Sequence, residues 1–112
     1  MDDGLEAAQE VDGVRRAWRA LEADWQLGWA ERRMLLPEGG EMGAALPADT
    51  EARMRVLVEI SHRLRLSTAD ELVEWLRDPL AVLMWNSPLD AMSSSMADLR
   101  RFRRLVEAGL GA

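Results

Sequence analysis

Apolar residues recur every three or four positions along most of this chain, and this spacing most limits how the chain can fold. In the first segment the recurring residues are Leu5, Ala8, Val11, Val14, Trp18, Leu21 and Trp25. Such spacing places them on one face of an α-helix, whereas a half-buried strand needs strict alternation of apolar and polar residues. No segment of the sequence sustains that alternation. The sequence therefore predicts an all-α fold of about five helices, with at most one very short strand.

Turn-forming and capping residues indicate where the helices end and begin. Pro37 ends a short second helix, and the three Gly and two Pro of residues 37–47 predict a loop. Ser87 stands directly before Pro88, which is the usual order of an N-cap followed by the first helical residue. Residues 80–85 form the longest uninterrupted apolar run. Pattern alone leaves two interpretations of this run, a short buried strand or an irregular apolar segment.

The charge of the chain limits the classes of molecule that it can bind. The net charge is −6, all of it carried by residues 1–50, while residues 51–112 are neutral. A negative average field repels phosphate, so it disfavours general binding to nucleic acid or to an anionic membrane.

The N-terminus lacks the basic and apolar regions of a signal peptide, and no apolar run approaches the length of a membrane span. A cytoplasmic protein that does not bind membranes is expected.

No arrangement of residues typical of catalysis or metal binding stands out in the sequence. The chain has no Cys, and its one histidine, His62, is not surrounded by a set of His, Asp and Glu residues at metal-ligand spacing. The serines at 93–95 lack the G-x-S-x-G elbow of a hydrolase nucleophile, and the glycines at 39–40 do not form a phosphate-binding loop. We therefore predict that the chain is not an enzyme and needs no cofactor or metal.

Five tryptophans are the candidate anchors for packing or binding. Two lie on the apolar face of the first helix, where they favour core or dimer packing. The predicted homodimer interface consists of Val14, Trp18, Leu21 and Trp25. Trp29, Trp75 and Trp85 are open to either interpretation, as core residues or as partner contacts.

The last helix combines an apolar face with a dense run of arginines. Its apolar arc consists of Leu99, Phe102, Leu105 and Val106. Its basic residues are Arg100, Arg101, Arg103 and Arg104. Two interpretations are open: a solvated face whose cations suit the negative end of the helix dipole, or a basic rim around an apolar docking stripe. The second predicts that the partner contacts Arg100, Arg103, Arg104, Leu105, Val106, Leu110, Gly111 and Ala112.

Five segments in this order resemble the bacterial antitoxins of the Xre/MbcA/ParS type. They are WQL with AER and LL in residues 25–36, the helix of residues 53–66, EWLRDP at 74–79, SPLD at 87–90 and DLRRFRRL at 98–105. The resemblance implies a helix-turn-helix-like, dimerising region in residues 1–48 and a small helical toxin-binding domain in residues 49–112. It also implies a function: such antitoxins bind a toxin, commonly of the RES-domain class that consumes NAD, and block its active site. They commonly repress their own operon as well.

The sequence departs from this family where the DNA-recognition helix is expected. Between Arg33 and Arg53 there is no basic residue, and residues 37–47 are acidic and rich in Gly and Pro. A recognition helix needs donors for base edges and phosphates, so we expect a degenerate helix-turn-helix with weak or no DNA binding. Two alternatives to toxin neutralisation remain: a DNA-binding autorepressor of the same family, and an orphan helical module that binds another protein.

Overall fold

The computed structural model describes residues 2–36, 48–64 and 69–110. These residues form six α-helices: α1 (Asp2–Asp24), α2 (Trp29–Leu35), α3 (Ala48–Arg63), α4 (Ala69–Trp75), α5 (Pro88–Met92) and α6 (Met96–Glu107). A single 3₁₀ turn, Ala81–Leu83, lies between α4 and α5, and one isolated antiparallel bridge joins Leu80 to Asn86. The described part of the chain contains no β-strand. The predicted all-α fold is confirmed.

Helix α3 lies at the centre of the fold, in contact with α1 on one side and α6 on the other. Because two neighbours cover it, its buried surface is wider than one stripe. The side chains buried along α3 and its final turn are Thr50, Met54, Val56, Leu57, Ile60, Ser61 and Leu64. Val58, on the same helix, is only half-buried.

The apolar stripe of α1 packs into the core of the same chain. Trp18, Leu21 and Trp25 are 3%, 1% and 0% exposed, and Val14 packs against the same cluster from its edge. These are the residues predicted to form a homodimer interface. Since the chain's own core covers three of them, they offer almost no surface to a second copy, and the homodimer stays a prediction without this interface.

One hydrophobic core joins the two regions expected from the sequence. It includes Trp25 and Leu35 from residues 1–48 together with Leu57, Leu76 and Phe102 from residues 49–112. The described residues therefore share a single packed core. The division at residue 48 is a prediction about function rather than a boundary in packing.

Two arginines hold backbone carbonyls that the helix ends leave without partners. The guanidinium of Arg53 on α3 donates to the carbonyl oxygens of Leu35, Met92 and Ser94 at 2.8–3.0 Å. It thereby connects the end of α2 to the end of α5. Burial lowers the pKa of Arg53 from its ordinary value.

Arg77, just after α4, connects that helix to the junction between α1 and α2. It donates to both carboxylate oxygens of Glu31, at 3.0 and 2.8 Å, and to the carbonyls of Trp25 and Gln26 at 3.1 Å. Partial burial alone would raise the pKa of Glu31, but the hydrogen bond from Arg77, the Gly28 N–H at 2.9 Å and the charge of Arg77 together lower it. This ion pair therefore joins the two parts of the sequence that differ in net charge.

Candidate protein-interaction surface

The apolar run between α4 and α5 forms an exposed loop, which we call the 80–86 loop. Val82, Met84 and Trp85 are 59%, 85% and 72% exposed, while Leu83 packs against the core. The interpretation of this run as a buried strand is wrong: it is an irregular apolar segment with its largest side chains in solvent. Exposed apolar side chains that lie next to one another are a feature of interaction sites, whereas scattered ones are ordinary.

Backbone hydrogen bonds within the loop explain why these side chains stay outside. The N–H of Leu80 donates to Asn86 at 3.1 Å, and the N–H of Trp85 donates back to Leu80 at 2.8 Å. The N–H groups of Leu83, Met84 and Asn86 also donate to carbonyls of the loop, at 3.0–3.1 Å. Because these donors are used inside the loop, its backbone is closed on itself. The loop is a preformed structure rather than a free strand edge.

Two consecutive residues of the loop have left-handed backbone conformations. Met84 has a φ of 56° and Trp85 a φ of 68°. For residues with a Cβ this region costs on the order of 1 kcal/mol each, and such strain is concentrated at functional sites. Here the left-handed turn closes the loop onto Leu80 while it directs two large apolar side chains into solvent.

A groove of about 390 Å³ lies beside this loop, between it, α5 and α6. Its half-buried or buried apolar lining residues are Leu83, Ala91, Phe102 and Leu105. Its remaining lining residues are Val82, Met84, Asn86, Ser94, Asp98 and Arg101. These six are all exposed, so the space is an open groove rather than an enclosed cavity. We call the loop and the groove together the loop–groove surface.

The side chains of α6 lie in the core and on three further faces of the helix. Leu99, Phe102 and Val106 lie in the core. Arg103, on the side toward α3, pairs with Glu59 at 3.0 Å. Asp98, Arg101 and Leu105 follow one another at helical spacing along the groove. The third face carries Arg100 and Arg104, both exposed.

Only part of the predicted partner-binding set lies on one free surface. Arg100 and Arg104 are exposed, and Leu105 lines the groove. Val106 is only 7% exposed and belongs to the core, so it offers almost no surface to a partner.

Leu110, another of the predicted partner contacts, lies in the turn that follows α6. Gly109, with a φ of 115°, ends α6, and the N–H of Leu110 donates back to Leu105 at 2.9 Å. This left-handed glycine turn brings Leu110 onto the core, where it packs half-buried. Gly111 and Ala112 lie outside the described residues, as do residues 37–47, which the sequence predicts to form a loop.

Sequence reasoning missed some residues of the loop–groove surface. Arg101 was not placed among the partner-binding residues, yet it lines the groove, and neither Val82 nor Met84 was considered. The available signal was the helical spacing: Arg101 and Leu105 are four residues apart and share a face. The exposure of Met84 had no such signal, because nothing in an apolar run shows which residues will face solvent.

The three tryptophans left open by the sequence fall into different environments. Trp85 is part of the loop–groove surface. Trp75 is half-buried, with its ring 6.4 Å from that of Phe102. Trp29 is 66% exposed on α2, where the guanidinium of Arg33 lies 5.4 Å from its ring centre. Trp29 is therefore a second exposed tryptophan, outside the groove.

Residues 2–36, 48–64 and 69–110 also bear on sites of other kinds. No group of three or more His, Cys, Asp or Glu side chains there is arranged to hold a metal ion. No helix in these ranges is both long and apolar enough to cross a bilayer. His62 is exposed on α3. A smaller groove of about 140 Å³ lies on the other flank of α5, beside Arg77 and Glu31.

Comparison of the chain with family models, with curated proteins and with solved structures finds no match. The function of the chain is therefore inferred from the loop–groove surface and from the five segments that resemble the antitoxin family.

Proposed function

We propose that this chain is a non-catalytic antitoxin of the Xre/MbcA/ParS type, which it resembles in sequence. It binds a protein toxin, of the RES-domain class that consumes NAD, and blocks access to the toxin's active site. The toxin supplies the catalytic residues, and this chain supplies a binding surface. The homodimer and the cytoplasmic location belong to the same proposal.

The single observation that carries the proposal is the exposure of Met84 and Trp85 on a closed, strained loop. Trp, Met and Arg are the residue types enriched at the centres of protein interfaces. The loop–groove surface brings them together, since Arg101 and Met84 both line the groove and Trp85 follows Met84 in the loop. A preformed loop also loses little conformational entropy on binding, which raises affinity for a given contact area.

The position of this surface within the chain agrees with the resemblance. The loop lies between the EWLRDP and SPLD segments, and the opposite wall of the groove is the DLRRFRRL helix. The Ser87 hydroxyl accepts the Asp90 N–H at 3.2 Å, and Pro88 begins α5, so the SPLD segment serves as a helix start beside the loop. One of the five resembling segments thus lines the groove, and two others flank the loop in the sequence.

The test is neutralisation of the protein encoded by the adjacent reading frame. That protein is expressed alone and together with this chain, and growth, cellular NAD and co-purification are measured. We expect the protein alone to arrest growth and deplete NAD, and the intact chain to restore both. The Trp85→Ala variant should restore neither, while the Trp29→Ala variant, which removes an equally large exposed side chain elsewhere, should protect as well as the intact chain.

Two results would contradict the proposal. One is an adjacent protein that leaves growth and NAD unchanged; the other is a toxic protein that this chain neither binds nor neutralises. Either result would favour an orphan helical module.

The autorepressor alternative has its own measurement. The two arginines of α2 are engaged within the chain, since Arg32 pairs with Glu22 at 3.2 Å and Arg33 lies over Trp29. Together with the net charge of −6, this supports weak or no DNA binding. A mobility-shift titration on the gene's upstream region at physiological salt should show no specific complex, and a tight, competitor-resistant complex would restore the autorepressor.

A further inference from the structure

The loop–groove surface has a charge pattern that limits what can occupy it. Arg101 lines the groove, and Arg104 is exposed one turn further along α6. Neither arginine makes an ion pair with any described residue. Arg103 differs, because Glu59 already neutralises it. Among the described residues, therefore, no carboxylate neutralises Arg101 on the groove side or Arg104 on the solvent side, although the chain as a whole is acidic.

The charge along the groove wall also has a direction. Asp98 lies in the first turn of α6, and Arg101 lies one turn later. An occupant with carboxylates near Arg101 and Arg104 gains charge-assisted hydrogen bonds, whereas carboxylates near Asp98 are repelled. The pattern thus sets the orientation of a bound segment as well as the sign of its charge.

The backbone of the 80–86 loop excludes one common binding mode. A peptide that adds as a β-strand needs a row of unpaired backbone N–H and C=O groups. The N–H groups of Leu83, Met84, Trp85 and Asn86 all donate within the loop. Side chains rather than backbone groups must therefore hold the occupant, which is how an amphipathic helix binds in a groove.

Shape and polarity point to the same kind of occupant. The groove surface at Leu83, Phe102 and Leu105 is apolar, and its two charged lining residues, Asp98 and Arg101, are exposed. Its volume of about 390 Å³ accommodates one or two aliphatic side chains. The exposed Trp85 and Met84 beside it need a matching apolar surface on the partner.

We infer that the loop–groove surface binds an acidic amphipathic helix of a partner protein. The helix places one or two aliphatic side chains in the groove and its carboxylates beside Arg101 and Arg104, while Trp85 packs on its apolar face. The inference rests on the proposed function in taking a protein as the occupant, and it adds the chemistry of the segment that is recognised.

The experiment uses the purified full chain and fluorescein-labelled helical peptides, with no toxin present. One peptide has Leu at helical spacing flanked by Glu; the second has Lys in place of every Glu; the third has the composition of the first in scrambled order. Binding is measured by fluorescence anisotropy at low and high salt. We expect the acidic amphipathic peptide to bind at least about tenfold more tightly than the other two, with affinity that falls as salt rises.

Two matched pairs of variants locate the site. Arg101→Glu should weaken binding about tenfold or more, whereas Arg16→Glu, a charge reversal at an exposed arginine of α1, should change it less than twofold. Trp85→Ala should weaken binding about tenfold or more, and Trp29→Ala should leave it unchanged. Arg101→Glu should also improve binding of the Lys peptide, a gain that a misfolded variant would not produce.

Other outcomes would overturn the inference. Equal binding of the scrambled or Lys peptide would show that the groove recognises apolar content or the opposite charge. A concentration-dependent dimer of the intact chain that Arg101→Glu abolishes, by light scattering, would make a second copy the occupant. No binding of the acidic peptide by a chain that still protects cells from the toxin would reject this inference alone, while peptide binding without protection would reject the antitoxin function alone.

Discussion

The tryptophans of α1 and the 80–86 loop show two opposite uses of apolar residues in one small protein. Trp25 is fully buried, while Trp85 is 72% exposed, although each belongs to an apolar stretch of the sequence. The α1 stripe has helical spacing, so its side chains share a face that α3 covers. The apolar run of the loop has no such spacing, and a loop closed by its own hydrogen bonds cannot turn all of its side chains toward one neighbour.

The comparison teaches that apolar content alone does not separate a core from an interface. Trp18, Leu21 and Trp25 were predicted to meet a second copy, and the chain itself buries them. The 80–85 run was interpreted as either a buried strand or an irregular segment, and it supplies the exposed surface. Whether an apolar side chain is buried depends on which helices pack over it. Apolar residues of the core and of the surface look alike in the sequence.

Truncating one tryptophan from each region should give the largest difference in stability between two variants. Trp25→Ala should destabilise the protein by about 3–5 kcal/mol, because it removes a fully buried aromatic side chain and leaves a cavity. Trp85→Ala should change the free energy of unfolding by less than about 0.5 kcal/mol, because its side chain has few neighbours to lose. Urea unfolding followed by circular dichroism measures both. Similar losses in the two variants would remove the distinction between core and surface.

Relief of backbone strain in the loop should change the free energy of unfolding less than Trp25→Ala does, and in the opposite direction. Met84→Gly should leave stability unchanged or raise it by up to about 1 kcal/mol, because glycine adopts the left-handed conformation without a Cβ penalty but also gains freedom when unfolded. The same variant should weaken binding of the acidic amphipathic peptide, since Met84 borders the groove. The matched substitution Val82→Gly lies in the 3₁₀ turn of the same loop, has no strain to relieve and should destabilise instead.

Protonation of Glu31, the partner of Arg77, should give the smallest of these changes in stability. The pKa of Glu31 is lower in the folded protein than its ordinary value of 4.5, so the unfolded chain binds a proton more readily. The stability contributed by the charged carboxylate is therefore complete above that value and is lost as pH falls through the lowered pKa. Urea midpoints of the natural chain and Glu31→Gln, measured between about pH 3 and pH 6, should converge toward acid. A difference between the two that does not change over this range would contradict the assignment.

Helix content was predictable because it depends on local spacing and capping. The N-cap at Ser87, the helix start at Pro88 and the glycine turn at Gly109 all occur where the sequence indicates them. These features act through atoms only a few residues apart, so the nearby sequence contains the information they need. The continuity of α1 through Gly13 was less predictable, because packing of the following residues on α3 offsets the low helix propensity of glycine.

The sequence by itself determined the all-α class, the helix boundaries set by Ser, Pro and Gly, and the apolar arc of α6. Only the tertiary structure decided that Val106 belongs to the core, that Arg103 pairs with Glu59, and that Arg101 lines a groove. It alone decided that Trp85 faces solvent while Trp25 does not. The physical reason is range: a helix forms from contacts three or four residues apart, whereas burial and charge pairing depend on neighbours that the folded chain brings together from distant positions.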